Sequence, residues 1–135
     1  MSSRKTNFSR KLQIEPSYPP ILLASDNIRV AESLCRMLTR EGFTVHLAPD
    51  YQATGMLWEK HRHPMVLLEV SNLHSVEAAV EAAMSIKRLD AGQFVGYLAD
   101  PILRTSGLAG DAIFPRSMDQ IPGAIREHFD NEASR

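Results

Sequence analysis

Two acidic residues stand near the ends of short apolar runs. Asp26 follows Ile21-Leu22-Leu23-Ala24-Ser25, and Glu69 lies inside Met65-Val66-Leu67-Leu68-Glu69-Val70. Carboxylates in such places can hold a hard cation through oxygen. Magnesium asks for several oxygens in near-octahedral array. Three clustered acids would supply ample charge for it. Asp26 and Glu69 are two. The remaining candidates carry less. His61 and His63 are two apart near an expected helix end, and with no third ligand evident they read as surface residues. His46 reads as a packing or strand-edge residue, and His128 as exposed. His74 could contact a ligand or Glu69. Cys35 has no base beside it to activate its thiol. Trp58 reads as a structural or interface anchor, and Asp100 as a turn cap. The sequence holds no Gly-rich phosphate loop, no hydrolase motif and no nucleophile–base pair.

The elements that must position these side chains alternate along the chain. Residues 21–24 form a continuous apolar run, as expected of a strand buried on both faces. Ser25-Asp26-Asn27 then offers capping chemistry for a helix. Ile28, Ala31, Leu34, Met37 and Leu38 recur at helical spacing up to a stop at Gly42. Phe43 to Leu47 reads as the second strand. A helix capped by Asp50 runs through Lys60 and closes before Pro64. Met65 to Val70 is the most apolar strand and is expected at the sheet centre. Ser75 opens a helix whose buried side is expected to be Val76, Ala79, Val80, Ala83, Met84 and Ile86. Phe94 to Leu98 and Ala112 to Phe114 are the fourth and fifth strands. A short helix with a weak signal is expected after Pro101. Ser117 and Gln120 match a capping box ahead of a last helix carrying Ile121, Ala124, Ile125 and Phe129.

Five strands alternating with helices predict an α/β fold, a doubly wound five-stranded parallel sheet. In such sheets the working crevice lies at the carboxyl ends of the strands. That places Ser25-Asp26-Asn27, Glu69-Val70-Ser71, Leu98-Ala99-Asp100 and Phe114-Pro115 around one site.

Composition bounds the rest. The 135 residues suit one domain, and 44% hydrophobic with 23% charged residues is ordinary for a globular chain. A formal net charge of -1 gives no global pull toward nucleic acid or an anionic membrane. The single cysteine fits a reducing, cytoplasmic setting. No apolar run is long enough to span a bilayer. Residues 1–19 are basic and poor in anchors, so they are expected to be a disordered tail. The domain is expected over 20–130, with a disordered tail at 131–135.

Segments in order resemble the receiver domain of bacterial two-component response regulators, from about Pro20 to Phe129. ILLASDN resembles its first strand and acidic turn. LCRMLTREGFTVHLAPD resembles the first helix and second strand, HPMVLLEV the phosphoacceptor strand, and GLAGDAIFP the approach to the fifth strand. The resemblance implies a flavodoxin-like sheet in the order 2-1-3-4-5. It also implies a site that departs from the family pattern. The usual pair of acids, which holds magnesium in the family, is matched by Ser25 and Asp26, and the phosphoacceptor aspartate by Glu69. Asp26, Glu69 and Ser71 are what remains of the ligand set, so magnesium binding is expected to be weak or absent. The hydroxyl residue of the fourth strand is matched by Leu98. The switch aromatic is matched by Asp111 and the conserved lysine by Phe114. Phe114 cannot supply a cation to a phosphoryl group, and Leu98 cannot donate the hydrogen bond that reports phosphorylation. Arg116, just beyond the fifth strand, is the candidate substitute cation.

The expected function is therefore that of an atypical receiver in phosphorelay signalling. It is not phosphorylated, is not an enzyme, and works by protein–protein binding without a cofactor. The expected partner is a histidine kinase, another regulator, or a second copy of the chain. It would meet the face carrying the fifth strand, the last helix and the short helix after Pro101. No output domain is expected after Phe129, since few polar residues remain. One alternative is a receiver that still binds magnesium and accepts a phosphoryl group. Another is a nucleic-acid-associated module using the basic tail, although nucleic-acid binding is the less expected.

Overall fold

The computed structural model of the chain describes residues 18–100 and 111–133. The expected helix after Pro101 and most of the N-terminal tail lie outside the described residues. The elements are β1 (Ile21–Ser25), α1 (Ile28–Arg40), β2 (Val45–Leu47), α2 (Tyr51–His61), β3 (Met65–Val70), α3 (Val76–Leu89), β4 (Phe94–Ala99), β5 (Ala112–Phe114) and α4 (Ile121–Ala133). A single 3-10 turn, Leu73–Ser75, precedes α3.

The strands form one parallel sheet, as the sequence pattern predicts, in the order β2-β1-β3-β4-β5 that the resemblance implies. β1 and β3 are buried at every residue, which is why their sequences read as unbroken apolar runs. Helices cover both faces. Leu34, Met37 and Leu38 of α1 pack with Ile121, Ile125 and Phe129 of α4 on one side of the sheet. Tyr51 and Trp58 of α2 pack with Val76, Ala79, Ala83 and Ile86 of α3 on the other.

Local chemistry sets the helix ends. Asn27 caps α1, its side-chain oxygen accepting the N–H groups of Arg29 at 3.0 Å and Val30 at 3.4 Å. Asp50 caps α2 by accepting the Ala53 N–H at 2.8 Å. Gly42, at φ 98°, takes the left-handed turn that follows α1 and leads the chain into β2.

Several expectations change. The second strand is shorter than expected, covering Val45–Leu47. Ile28 is exposed at the start of α1, whose buried stripe is Ala31, Leu34, Met37 and Leu38, and Met84 is exposed because the inward stripe of α3 runs through Ala79, Ala82, Ala83 and Ile86. Ser117 does not form a capping box, since its hydroxyl donates to the Asp119 carboxylate. Its carbonyl accepts the Ile121 N–H at 3.1 Å instead. Tyr18, inside the expected tail, packs its ring 5.1 Å from Phe43 and 5.6 Å from Phe129. α4 runs on to Ala133, through residues expected to be a tail. His128 is half-buried, its ring 4.1 Å from that of Phe94.

Candidate functional site

The sheet register places four of the altered positions in one row. Ser25 of β1 pairs with Glu69 of β3, Glu69 with Leu98 of β4, and Leu98 with Phe114 of β5. In a parallel sheet such partners point to the same face. Here that is the face covered by α1 and α4, since Leu98 and Phe114 belong to its apolar cluster. Glu69 is 1% exposed and shares its row with two apolar side chains.

A buried carboxylate in that setting must be paired and hydrogen-bonded. Glu69 is held by three side chains. Ser25 Oγ donates to Oε1 at 2.6 Å. Ser71 Oγ lies 3.1 Å from Oε1 and 3.0 Å from Oε2. Arg116 reaches back from beyond β5 to set its Nε 3.0 Å from Oε2. The Glu69 carbonyl is also engaged, accepting the Tyr51 hydroxyl at 2.5 Å. Burial, and then the nearby Asp26 and Glu69 carboxylates, raise the Tyr51 pKa well above the usual tyrosine range.

Asp26 is turned to a different task. Its Oδ2 accepts Asn72 Nδ2 at 3.2 Å and the Ser75 hydroxyl, tying the loop after β1 to the loop after β3. The Ser25 hydroxyl stands 3.4 Å from Asp26 Oδ1, so its single proton goes to Glu69, the much nearer acceptor. Ser25 Oγ in turn accepts the Asn27 N–H at 2.9 Å.

Magnesium fits this arrangement poorly. Both Glu69 oxygens are already engaged, and one of them faces a guanidinium where a second cation would be repelled. Ser71 spends its hydroxyl on Glu69. Among the described residues no three His, Cys, Asp or Glu side chains are, as they stand, arranged to hold an ion.

Asp111 stays outside the site. It precedes β5 at the level of Val95, three residues down the strand from Phe114. Its carboxylate accepts the Val95 N–H at 2.8 Å and pairs with Lys87 Nζ at 2.7 Å. It thus clamps the short edge strand to β4 and to the end of α3. Near the crevice, His74 is exposed, and its backbone N–H donates to Asn72 Oδ1 at 3.0 Å. A pocket of about 390 Å³ opens beside the row, with Arg29, Val30, Leu34, Leu98, Arg116 and Met118 in its wall.

Sequence reasoning missed Tyr51 and the Asn72–Ser75 pair, whereas Arg116, the candidate substitute cation, does reach Glu69. One signal for Tyr51 was available: Tyr51, Thr54 and Trp58 recur at helical spacing and form the buried stripe of α2.

A scan against models of protein families returns no match, and no curated protein matches the sequence. Solved structures do. The chemotaxis protein CheY4 of Vibrio cholerae aligns with a TM-score of 0.67 at 13% identity, over 82% of this chain and 98% of that one. A receiver domain from a Francisella response regulator aligns with a TM-score of 0.67 at 13% identity, over 85% and 99%. A response regulator of Thermotoga maritima gives 0.65 at 13% identity, over 83% and 98%. The chain has the receiver fold. At these identities the likeness speaks for architecture, and the chemistry of the site must be argued from its own residues.

Proposed function

We propose that this chain is an atypical receiver in two-component signalling, one that binds a protein partner and is not phosphorylated at Glu69. The observation that supports this best is the closed shell around Glu69. Its carboxylate is engaged by Ser25, Ser71 and Arg116. A nucleophile for phosphoryl transfer needs an in-line approach and a bound cation to neutralise the phosphoryl oxygens. Here a guanidinium already occupies one side of the carboxylate. Leu98 and Phe114, in the same row, offer neither a hydroxyl nor an ammonium to such a group.

The likeness to response-regulator receivers supports a place in such a pathway, and a cytoplasmic one. The partner would be a histidine kinase, another regulator or a second copy. It would meet the side of the molecule carrying β5 and α4. Magnesium plays no part in this reading.

The experiment is incubation with a small-molecule phosphodonor and magnesium, followed by intact-mass spectrometry. The expected result is no mass gain. A gain of one phosphoryl group that vanishes in Glu69→Gln would overturn the reading and return the chain to ordinary phosphorelay.

A further inference from the structure

Three histidines meet at the other end of the sheet from Glu69. His46 lies in β2, His61 ends α2, and His63 precedes β3. The six residues from His63 to Glu69 cover about 20 Å of extended chain, so the two places are separate. Nδ1 of His46 and Nε2 of His63 are 2.8 Å apart. The ring centroids are 4.9 Å apart for His46 and His63, 5.6 Å for His61 and His63, and 6.0 Å for His46 and His61.

The backbone brings them together at a cost. Arg62, between His61 and His63, is the one described non-glycine residue at positive φ, with φ 53° and ψ 53°. A side chain in that region is strained, and such strain gathers at functional places. The Arg62 guanidinium lies 4.4 Å from the Trp58 ring centroid, and Gln93 Nε2 donates to the His63 carbonyl at 2.9 Å. Both contacts fix the turn.

His63 is 1% exposed, and its Nδ1 has no hydrogen-bond partner. Two neutral imidazoles facing each other can share one proton. Nε2 is thus the nitrogen that His63 turns toward His46, while Nδ1 is buried away from that contact.

We propose that His46, His61 and His63 form a site for a late first-row divalent ion, with zinc the first candidate. The ion binds His46 Nδ1 and His63 Nε2, the proton between them moves to the far nitrogen of the ring that carried it, and His61 swings in as third ligand. Imidazole nitrogens bind zinc at about 2.0–2.1 Å, which sets two ligands on a tetrahedral ion about 3.3 Å apart. His46 and His63 therefore part by about half an ångström. As they stand the rings hold one another and no ion site is preformed. His46 and His61 are exposed, so their rings can turn through the rotamer changes open to surface side chains. Three imidazoles with water in the fourth position is an arrangement zinc accepts.

The full chain, without added histidines and stripped with chelator, is titrated with zinc chloride by calorimetry and with cobalt(II) as a coloured probe. The expected result is one ion per chain and the absorption of a tetrahedral cobalt site. His46→Gln and His61→Gln, both at exposed positions, are each expected to weaken zinc binding about tenfold or more, with an unchanged circular dichroism spectrum. Absence of binding in the micromolar range would overturn the proposal. So would binding unaffected by both substitutions. Binding that survives His61→Gln but is lost in Glu69→Gln would place the ion in the crevice and overturn it equally.

Discussion

Arg116 Nε stands 3.0 Å from Glu69 Oε2, and the two are 47 residues apart in the chain. The pair joins a fully buried carboxylate to a guanidinium that is 38% exposed. Its burial is thus lopsided: the acid has given up water, while the base has kept much of it. Removing the base strands the acid, whereas removing the acid leaves a cation that solvent can accommodate.

Arg116→Met should therefore destabilise the fold more than an ordinary surface substitution does. Losing one partner of a fully buried pair costs roughly 3–5 kcal/mol. Solvent around Arg116 lowers the expectation here to about 2 kcal/mol. Adding Glu69→Gln to Arg116→Met should recover most of that loss, because a neutral amide needs no cation. Urea denaturation of the two single variants and the double variant measures the coupling. Equal and additive losses would mean that the pair contributes little.

Tyr51→Phe removes the hydroxyl that donates to the Glu69 carbonyl at 2.5 Å and leaves that carbonyl without its partner. The expected loss is about 1 kcal/mol. The substitution should also remove one tyrosine that resists ionisation at high pH, because burial and the Asp26 and Glu69 carboxylates hold the Tyr51 proton. Absorbance at alkaline pH counts the late-titrating tyrosines. An unchanged count would place the Tyr51 hydroxyl in water.

The row Ser25–Glu69–Leu98–Phe114 was legible in the sequence because each residue is the last or next-to-last of a short apolar strand. In a parallel sheet those ends line up, so strand position alone predicts the neighbourhood. The links made by loops were not legible. Arg116 could as well have faced solvent, since nothing in Phe114-Pro115-Arg116 dictates the direction of a long side chain beyond a proline. His63 was misread for a related reason. His61 is exposed, as expected, but His63 is 1% exposed, because His46, 17 residues away, comes into reach only through β2 and the left-handed turn at Arg62. The resemblance matched Asp111 to the switch aromatic. Its carboxylate instead satisfies an edge-strand N–H, a role that depends on the offset of β5 against β4.

Asp111→Ala should loosen that edge. β5 has three residues, and Asp111 holds it through the Val95 N–H and Lys87. The Lys87 pair is partly exposed and contributes little, so the loss is mainly the hydrogen bond to Val95, about 1 kcal/mol. Hydrogen exchange should accelerate at the Val95 amide while that of Leu67, in the central strand, stays slow. Tyr97 offers a second readout. Burial and then Asp111 push its pKa up to about 12, so the substitution should bring it down. Exchange at Val95 that matches the unsubstituted chain would show that the carboxylate is dispensable.

Gly96→Ala should be poorly tolerated. A Cβ at Gly96 would lie 3.0 Å from Cε2 of Phe114 and 3.1 Å from Cε2 of Phe94. Both rings pack against this stretch of β4, so one or both must shift. The expected loss is about 1–3 kcal/mol, the usual range for overpacking a core. Thermal unfolding measures it. Phe114→Leu should relieve part of the clash, and a double variant no better than Gly96→Ala would show that the ring has another place to go.

Metal-free protein should lose stability as pH falls from about 6.5 to about 4, with His63 as a principal cause. Burial, followed by His46 and His61, lowers the His63 pKa to about 4 in the fold, against about 6.5 when unfolded. Between these values the unfolded chain binds the proton and the folded chain does not. Stability is therefore complete above about 6.5 and declines toward about 4, by up to about 3 kcal/mol from this one group. His63→Gln should flatten that decline, while lowering stability near neutral pH because the contact with His46 is lost. Chelator in the buffer keeps ions from masking the effect. Urea midpoints at several pH values between 4 and 7.5 supply the slope. An unchanged slope in His63→Gln would show that this imidazole takes up its proton as readily in the fold as in the open chain.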